Sequence, residues 1–151
     1  MSVEVVPGGQ RRIDRVLDPG FVEGVEQLGL PRAGLELTDD VLAEEAGLLG
    51  SHVHLDKGCY PGQETVARVH NLGQVQRRLA GLRFQPSDGG LPAPGTDLVT
   101  DDGRRAGQLR SVVDHPRLGP IGLAYVRRVV TDGRLVRAGD HVATVVGLPF
   151  R

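Results

Sequence analysis

From Leu79 to the end of the chain, apolar residues fall in short runs divided by turn residues. Leu79–Phe84, Asp97–Thr100, Arg105–Val113, Ile121–Val126 and His141–Val146 are the runs. Each is strand-length and carries residues that suit a pleated, half-buried surface. Asp101-Asp102-Gly103 separates the second run from the third, a strong hairpin signal because glycine accepts the positive φ of a tight turn. Asp132-Gly133 predicts another hairpin. Short strands at even spacing with Gly-rich turns predict a small antiparallel barrel. Upstream the period changes. Asp18 reads as an N-cap with Pro19 at the first helical position, Phe21, Val22, Val25 and Leu28 follow at helical spacing, and Gly29 ends the run. Thr38 predicts the cap of a second short helix through Glu45. Leu48 to Leu55 has strand character, with Val53 and Leu55 on one face and His52 and His54 on the other. Pro61 predicts a helix start running toward His70, ended at Asn71-Leu72-Gly73. The predicted class is α+β: a small mixed α/β segment over 1–77, then an antiparallel β-barrel domain over 78–151.

Composition narrows the function classes. Net charge is −1, so no overall field recruits nucleic acid or a membrane surface. Aromatic residues make up 3% and tryptophan is absent, which leaves few platforms for base stacking. No stretch approaches the roughly 20 apolar residues of a membrane span. The chain has one cysteine, so no intramolecular disulfide framework exists and a reducing cytoplasm is the expected location.

That cysteine, Cys59, sits in Lys57-Gly58-Cys59-Tyr60-Pro61-Gly62-Gln63-Glu64. A free cysteine is most often a small buried hydrophobe. Here glycines and charged residues surround it, and no apolar run encloses it. A helix starting at Pro61 points unpaired N–H groups back toward the sulfur, and Lys57 adds a cation. Both favour the thiolate, the form that acts as nucleophile, cluster ligand or redox sensor. Glu64 and Arg68, four apart, form an ordinary helical salt bridge by default. His52, His54 and His70 lie near the motif but lack the paired spacing of a zinc site. A Cys–His hydrolase dyad fits the composition, yet nothing marks an oxyanion hole. No phosphate-loop pattern is present.

The eight residues resemble the K-G-C-Y-x-G-Q-E signature of the YgfZ-type folate-binding proteins, relatives of the glycine-cleavage aminomethyltransferase, the T-protein. The resemblance continues through Thr65-Val66-Ala67-Arg68. Gly29 to Gly34 resembles that family's G-x-P-R-x-G segment, and Leu42 to Leu48 its L-P-x-E-A-G-L segment, with Ala43 in place of proline. Leu91 to Arg128 resembles its C-terminal barrel. Members resemble a three-domain ring whose central opening holds the folate, and this chain resembles its last part.

The resemblance implies a folate-binding accessory protein that supports iron–sulfur cluster assembly or repair through a reactive Cys59. It implies that Lys57, Tyr60, Gln63, Glu64 and Arg68 shape the cofactor-binding loop. Tetrahydrofolate or a derivative is the implied cofactor, with weak binding expected because only part of the pocket wall is present. Implied partners are iron–sulfur proteins or assembly factors, with a second copy or a separate N-terminal-domain protein completing the ring. One cysteine cannot hold a cluster that takes about four thiolates. Two alternatives stay open: a tetrahydrofolate-dependent one-carbon transferase, and a non-catalytic interaction module.

Overall fold

A computed structural model describes residues 29–48 and 75–150. The second stretch holds six strands: β1 (Arg77–Phe84), β2 (Asp97–Thr100), β3 (Arg105–His115), β4 (Gly119–Arg127), β5 (Leu135–Ala138) and β6 (His141–Val146). They close into an antiparallel barrel in the order β1-β4-β3-β2-β5-β6. Closure leaves no unpaired edge, which suits a small sheet with short strands.

Side-chain alternation fills the inside. Ala80, Leu82 and Phe84 from β1, Leu98 from β2, Ala124 and Val126 from β4, and Val136 and Ala138 from β5 form one buried cluster with Ala143 and Val145 of β6. β4 departs from the alternating pattern, since Ile121 to Val126 are all buried. Its outer face is covered as well. Ile121 and Leu123 join Val113 and Phe150 in a second cluster, flanked by Leu79, Leu118, Val146 and Leu148. Gly81 makes room for it, because a Cβ there would sit 2.7 Å from the Phe150 ring.

β3 carries two register shifts. One lies where β2 passes it, between Leu98 and Val99, and the other where β4 passes it, between Leu109 and Ser111. Each extra residue bends the strand and re-aims the side chains beyond it. The second shift leaves Arg110 without a β4 partner in the register.

The hairpin at Asp101-Asp102-Gly103 forms as expected, with Gly103 at φ 76° and β2 paired to β3. Asp132-Gly133 does not make a hairpin. β4 pairs with β1 and β3, whereas β5 pairs with β2 and β6. The turn instead closes a connection across one end of the barrel, with Val130 buried beneath it. A local Asp-Gly signal marks a chain reversal but not which strands the reversal joins.

The described residues contain no helix, so the α part of the expected class is not found among them, and the helices expected from Asp18 and from Pro61 lie outside them. The helix expected from Thr38 through Glu45 is a single turn. Leu48 N–H reaches the Ala43 carbonyl and Gly47 N–H the Glu44 carbonyl, with Gly47 at φ 73°. That pairing is a Schellman stop, and it ends the helix after one turn. Glu45 Oε2 caps the other end by accepting from Leu42 N–H at 3.1 Å.

Candidate functional site

The residues singled out from the sequence, Lys57, Cys59, Tyr60, Gln63, Glu64 and Arg68, lie outside the described residues, as do His52, His54 and His70. The structure describes the chain on either side of them. Residues 29–48 lead into the signature-bearing stretch and β1 follows it.

Those two flanks are tied together. Leu79 N–H donates to the Glu45 carbonyl at 2.8 Å, and Arg77 Nε donates to Glu45 Oε1 at 2.9 Å. Glu45 is buried, so this charge-assisted bond is partly shielded from water. Arg77 also donates to the Asp40 backbone carbonyl and faces its carboxylate at 3.4 Å. Arg110, displaced at the β3 shift, reaches the same Asp40 carboxylate at 3.3 Å. Both guanidiniums lie over the Tyr125 ring, with Arg77 Cζ 5.2 Å and Arg110 Cζ 5.5 Å from its centroid. Such cation–π contacts gain strength where the ring is desolvated.

Below this layer sits a buried polar cluster. The Arg32 carbonyl accepts from Glu36 and Leu37 N–H, a tight loop that turns the Glu36 side chain inward. Glu36 is fully buried. Its Oε2 accepts from Arg32 N–H at 3.0 Å and its Oε1 from the Ser111 hydroxyl. The Tyr125 hydroxyl donates to the Glu36 carbonyl at 3.1 Å. A buried carboxylate is tolerated only when its lone pairs are used in this way.

The cluster perturbs its members. Burial, and then the Glu45 carboxylate, push the Tyr125 phenol up to about 12, against the lowering effect of Arg110 and Arg77. The Thr38 hydroxyl, and then Arg110 and Arg77, hold the Asp40 carboxyl below its ordinary value, against some desolvation. The Glu45 hydrogen bond, more than any other contact, raises Arg77 further above its ordinary value.

The arrangement fixes the chain at Glu45 and again at Arg77, and the signature residues come between these two points in the sequence. Among the described residues no group of three His, Cys, Asp or Glu side chains is placed to hold a metal ion. Sequence reasoning does not single out Glu36, Arg77, Arg110, Ser111 or Tyr125. The available signals are a glutamate between Leu35 and Leu37, and a tyrosine inside the apolar run 121–126.

Removing the hydroxyl in Ser111→Ala should leave Glu36 Oε1 buried with one donor fewer. Loss of a buried hydrogen bond to a charged group costs about 1.5–3 kcal/mol, and a chemical-denaturation midpoint should fall accordingly. Proteolysis between 29 and 48 should speed up in the same variant. A midpoint equal to that of the unaltered chain would show that water replaces the hydroxyl without loss.

Residues 76–149 match the CAF17 C-terminal beta-barrel domain family. A chloroplastic protein of Arabidopsis thaliana named as a candidate transferase is 35% identical over 121 residues, covering 78% of this chain and 26% of its own. The human protein named mitochondrial iron–sulfur cluster assembly factor IBA57 is 35% identical over 156 residues, covering 96% of this chain and 40% of its own. The chain thus spans between about a quarter and two-fifths of the length of these relatives. The crystal structure of glycine cleavage system aminomethyltransferase T from Bartonella henselae superposes with a TM-score of 0.70, covering 87% of this chain and 37% of that one. At 24% identity that likeness shows a shared fold.

Proposed function

We propose, from the match of residues 76–149 to the CAF17 C-terminal beta-barrel domain family, that the chain is an accessory factor in iron–sulfur cluster assembly or repair, of YgfZ type, working through Cys59. The observation that carries this reading is the similarity to a protein named as an iron–sulfur cluster assembly factor over 96% of the chain, a span wide enough to include the signature. The tie between Glu45 and Arg77 adds a physical reason for the segment to present its thiol from a fixed base.

In this reading the thiolate of Cys59 contacts an iron–sulfur cluster, which is cargo rather than a resident group. A cluster takes about four thiolate ligands, so a partner assembly factor, or a second copy, supplies the rest. The single cysteine also keeps our proposed location in the reducing cytoplasm.

A folate is a weaker part of the proposal. A pterin with an aryl body and a carboxylate tail needs a concave pocket that buries most of its surface. The described residues offer two open clefts. One, of about 320 Å³, is lined by Arg83, Val146, Gly147, Leu148, Pro149 and Phe150. The other, of about 360 Å³, includes Phe84, Ser87, Leu91, Asp114, Pro120 and His141. Neither encloses a ligand of that shape. A tetrahydrofolate would need Lys57, Tyr60, Gln63, Glu64 and Arg68 together with a partner surface.

The test is rescue in a host that lacks its own member of this family. The chain is expected to restore cluster-enzyme activity and Cys59→Ala is not. Equal rescue by both would show that the cysteine is not the working group. In vitro, the pH midpoint of Cys59 alkylation should fall below the free thiol's value of about 8.5, and Lys57→Ala should raise it. The alternative is a tetrahydrofolate-dependent one-carbon transferase, favoured by the fold of the Bartonella henselae structure. Turnover of a one-carbon folate by the isolated chain would select it instead.

A further inference from the structure

One end of the barrel gathers arginines. β1 and β3 begin there, β4 ends there, and the connections after β2 and before β5 add more. Most are matched by carboxylates. Arg77 meets Glu45 and Asp40, Arg78 meets Asp132, Arg104 meets Asp102, Arg105 meets Asp97 and Arg134 meets Asp101. Arg127 and Arg128 differ. Both are exposed, and neither makes an ion pair with a described residue.

Val129 comes directly after them and is 80% exposed, the most exposed large apolar side chain among the described residues. Its neighbour Val130 is 5% exposed and belongs to the core cluster. Two adjacent valines thus face opposite ways, and the turn between β4 and β5 cannot roll Val129 inward without pulling Val130 out.

Hydrogen bonds also hold the turn in place. Arg128 N–H donates to the Gln76 carbonyl at 2.9 Å and Val130 N–H to the Arg127 carbonyl at 2.8 Å. Arg78 Nη2 donates to the Val130 carbonyl at 3.2 Å and to Asp132 Oδ1 at 2.6 Å. Gly133 N–H donates to the Val145 carbonyl at 2.8 Å. A surface already fixed in shape loses little entropy when something binds it.

We propose that the Arg127-Arg128-Val129 turn docks an acidic segment of a partner protein, one that sets an apolar side chain beside its carboxylates. Two unmatched guanidiniums call for carboxylates, which they can bind bidentately. Val129 supplies the apolar centre that a charged rim surrounds in a protein interface. A nucleic acid fits less well, because valine offers no face for a base to stack on. The proposal stands apart from Cys59: the turn can dock a partner whether or not the thiol acts on a cluster.

The probe is a fluorescein-labelled peptide of two leucines flanked by paired glutamates, titrated with the full chain and followed by anisotropy. The unaltered chain is expected to bind it. Arg127→Glu with Arg128→Glu should weaken binding by about tenfold or more, and Val129→Ser by about threefold. Arg117→Glu with Arg137→Glu changes the net charge equally at exposed positions away from this turn, and should weaken it by less than about threefold. The Arg127 and Arg128 double variant and Val129→Ser should keep the unaltered unfolding midpoint, since each changed side chain is exposed. Equal loss in the two double variants would overturn the proposal in favour of a diffuse field. A hexaglutamate bound as tightly as the probe would remove the apolar anchor, and an unbound probe would remove the surface. Tighter binding of a thymidine oligonucleotide, lost in the same Arg127 and Arg128 variant, would overturn the protein partner in favour of nucleic acid.

Discussion

Gly107→Ala is expected to destabilise the barrel by at least about 3 kcal/mol, beyond the usual range for overpacking. Gly107 sits on β3 between β2 and β4, opposite Leu98 on one side and Val126 on the other. A Cβ there would lie 2.1 Å from the Tyr125 carbonyl oxygen and 2.8 Å from Val126 Cα. Both are backbone atoms, so no rotamer change relieves the contact. The strands must separate, and the β3–β4 hydrogen bonds nearby lengthen with them. Gly81→Ala is the comparison. Its Cβ would meet the Phe150 ring at 2.7 Å and Val146 Cγ2 at 2.8 Å, but these are side-chain ends that can swing aside. Its cost should stay near 1–2 kcal/mol, since such strain is shared by flexible groups. Denaturant midpoints of the two variants check the ordering. If Gly107→Ala keeps the midpoint of the unaltered chain, the close strand approach is not a constraint.

Stability should also fall steeply between pH 10 and pH 12, and Tyr125 is the cause. Its phenol is pushed up to about 12 in the folded chain, whereas the ordinary value is 10.0. Below pH 10 the phenol is neutral in both the folded and the unfolded state, so the contribution is fully present. As pH rises past 10 the unfolded chain releases the proton and the folded chain retains it, so proton release favours unfolding. Across the two units this amounts to on the order of 2–3 kcal/mol. Tyr125→Phe should flatten that part of the pH profile. The variant should also lose some stability at neutral pH, because the bond to the Glu36 carbonyl is gone. The chain has only two tyrosines, so the ultraviolet absorbance of tyrosinate is simple to assign. A profile as steep in Tyr125→Phe as in the unaltered chain would place the titrating group elsewhere.

Much of the barrel is legible in the chain. β2 and β3 stand where the apolar runs and the Asp-Gly turn put them, and β1, β4 and β6 follow their own runs closely. β5 is hidden, because four residues with two exposed give little pattern. The single turn at 42–47 reads as a longer helix in the sequence, because the stop at Gly47 comes directly after the cap at Glu45. Of the candidate site, the sequence supplies the residues with chemistry, Lys57 to Arg68. It carries no sign of the tie between the two segments that flank them in the chain. Glu45 and Arg77 are 32 positions apart, and no periodicity links residues at that distance.

The sequence by itself determined the local outcomes: where strands run, where glycines reverse the chain, and that one thiol stands beside Lys57 before a helix-start signal. Those outcomes come from sterics and hydrogen bonding within a few residues. Only the tertiary structure decided which strands became neighbours, since β1 joins β4 and β6, and the Asp132-Gly133 turn crosses an end of the barrel. It alone covered the outer face of β4, and so made Tyr125 and Glu36 buried polar groups rather than surface ones. The reason is that pairing and burial depend on shape fit between segments far apart in sequence, as where β3 and β4 approach so closely at Gly107 that no side chain fits between them.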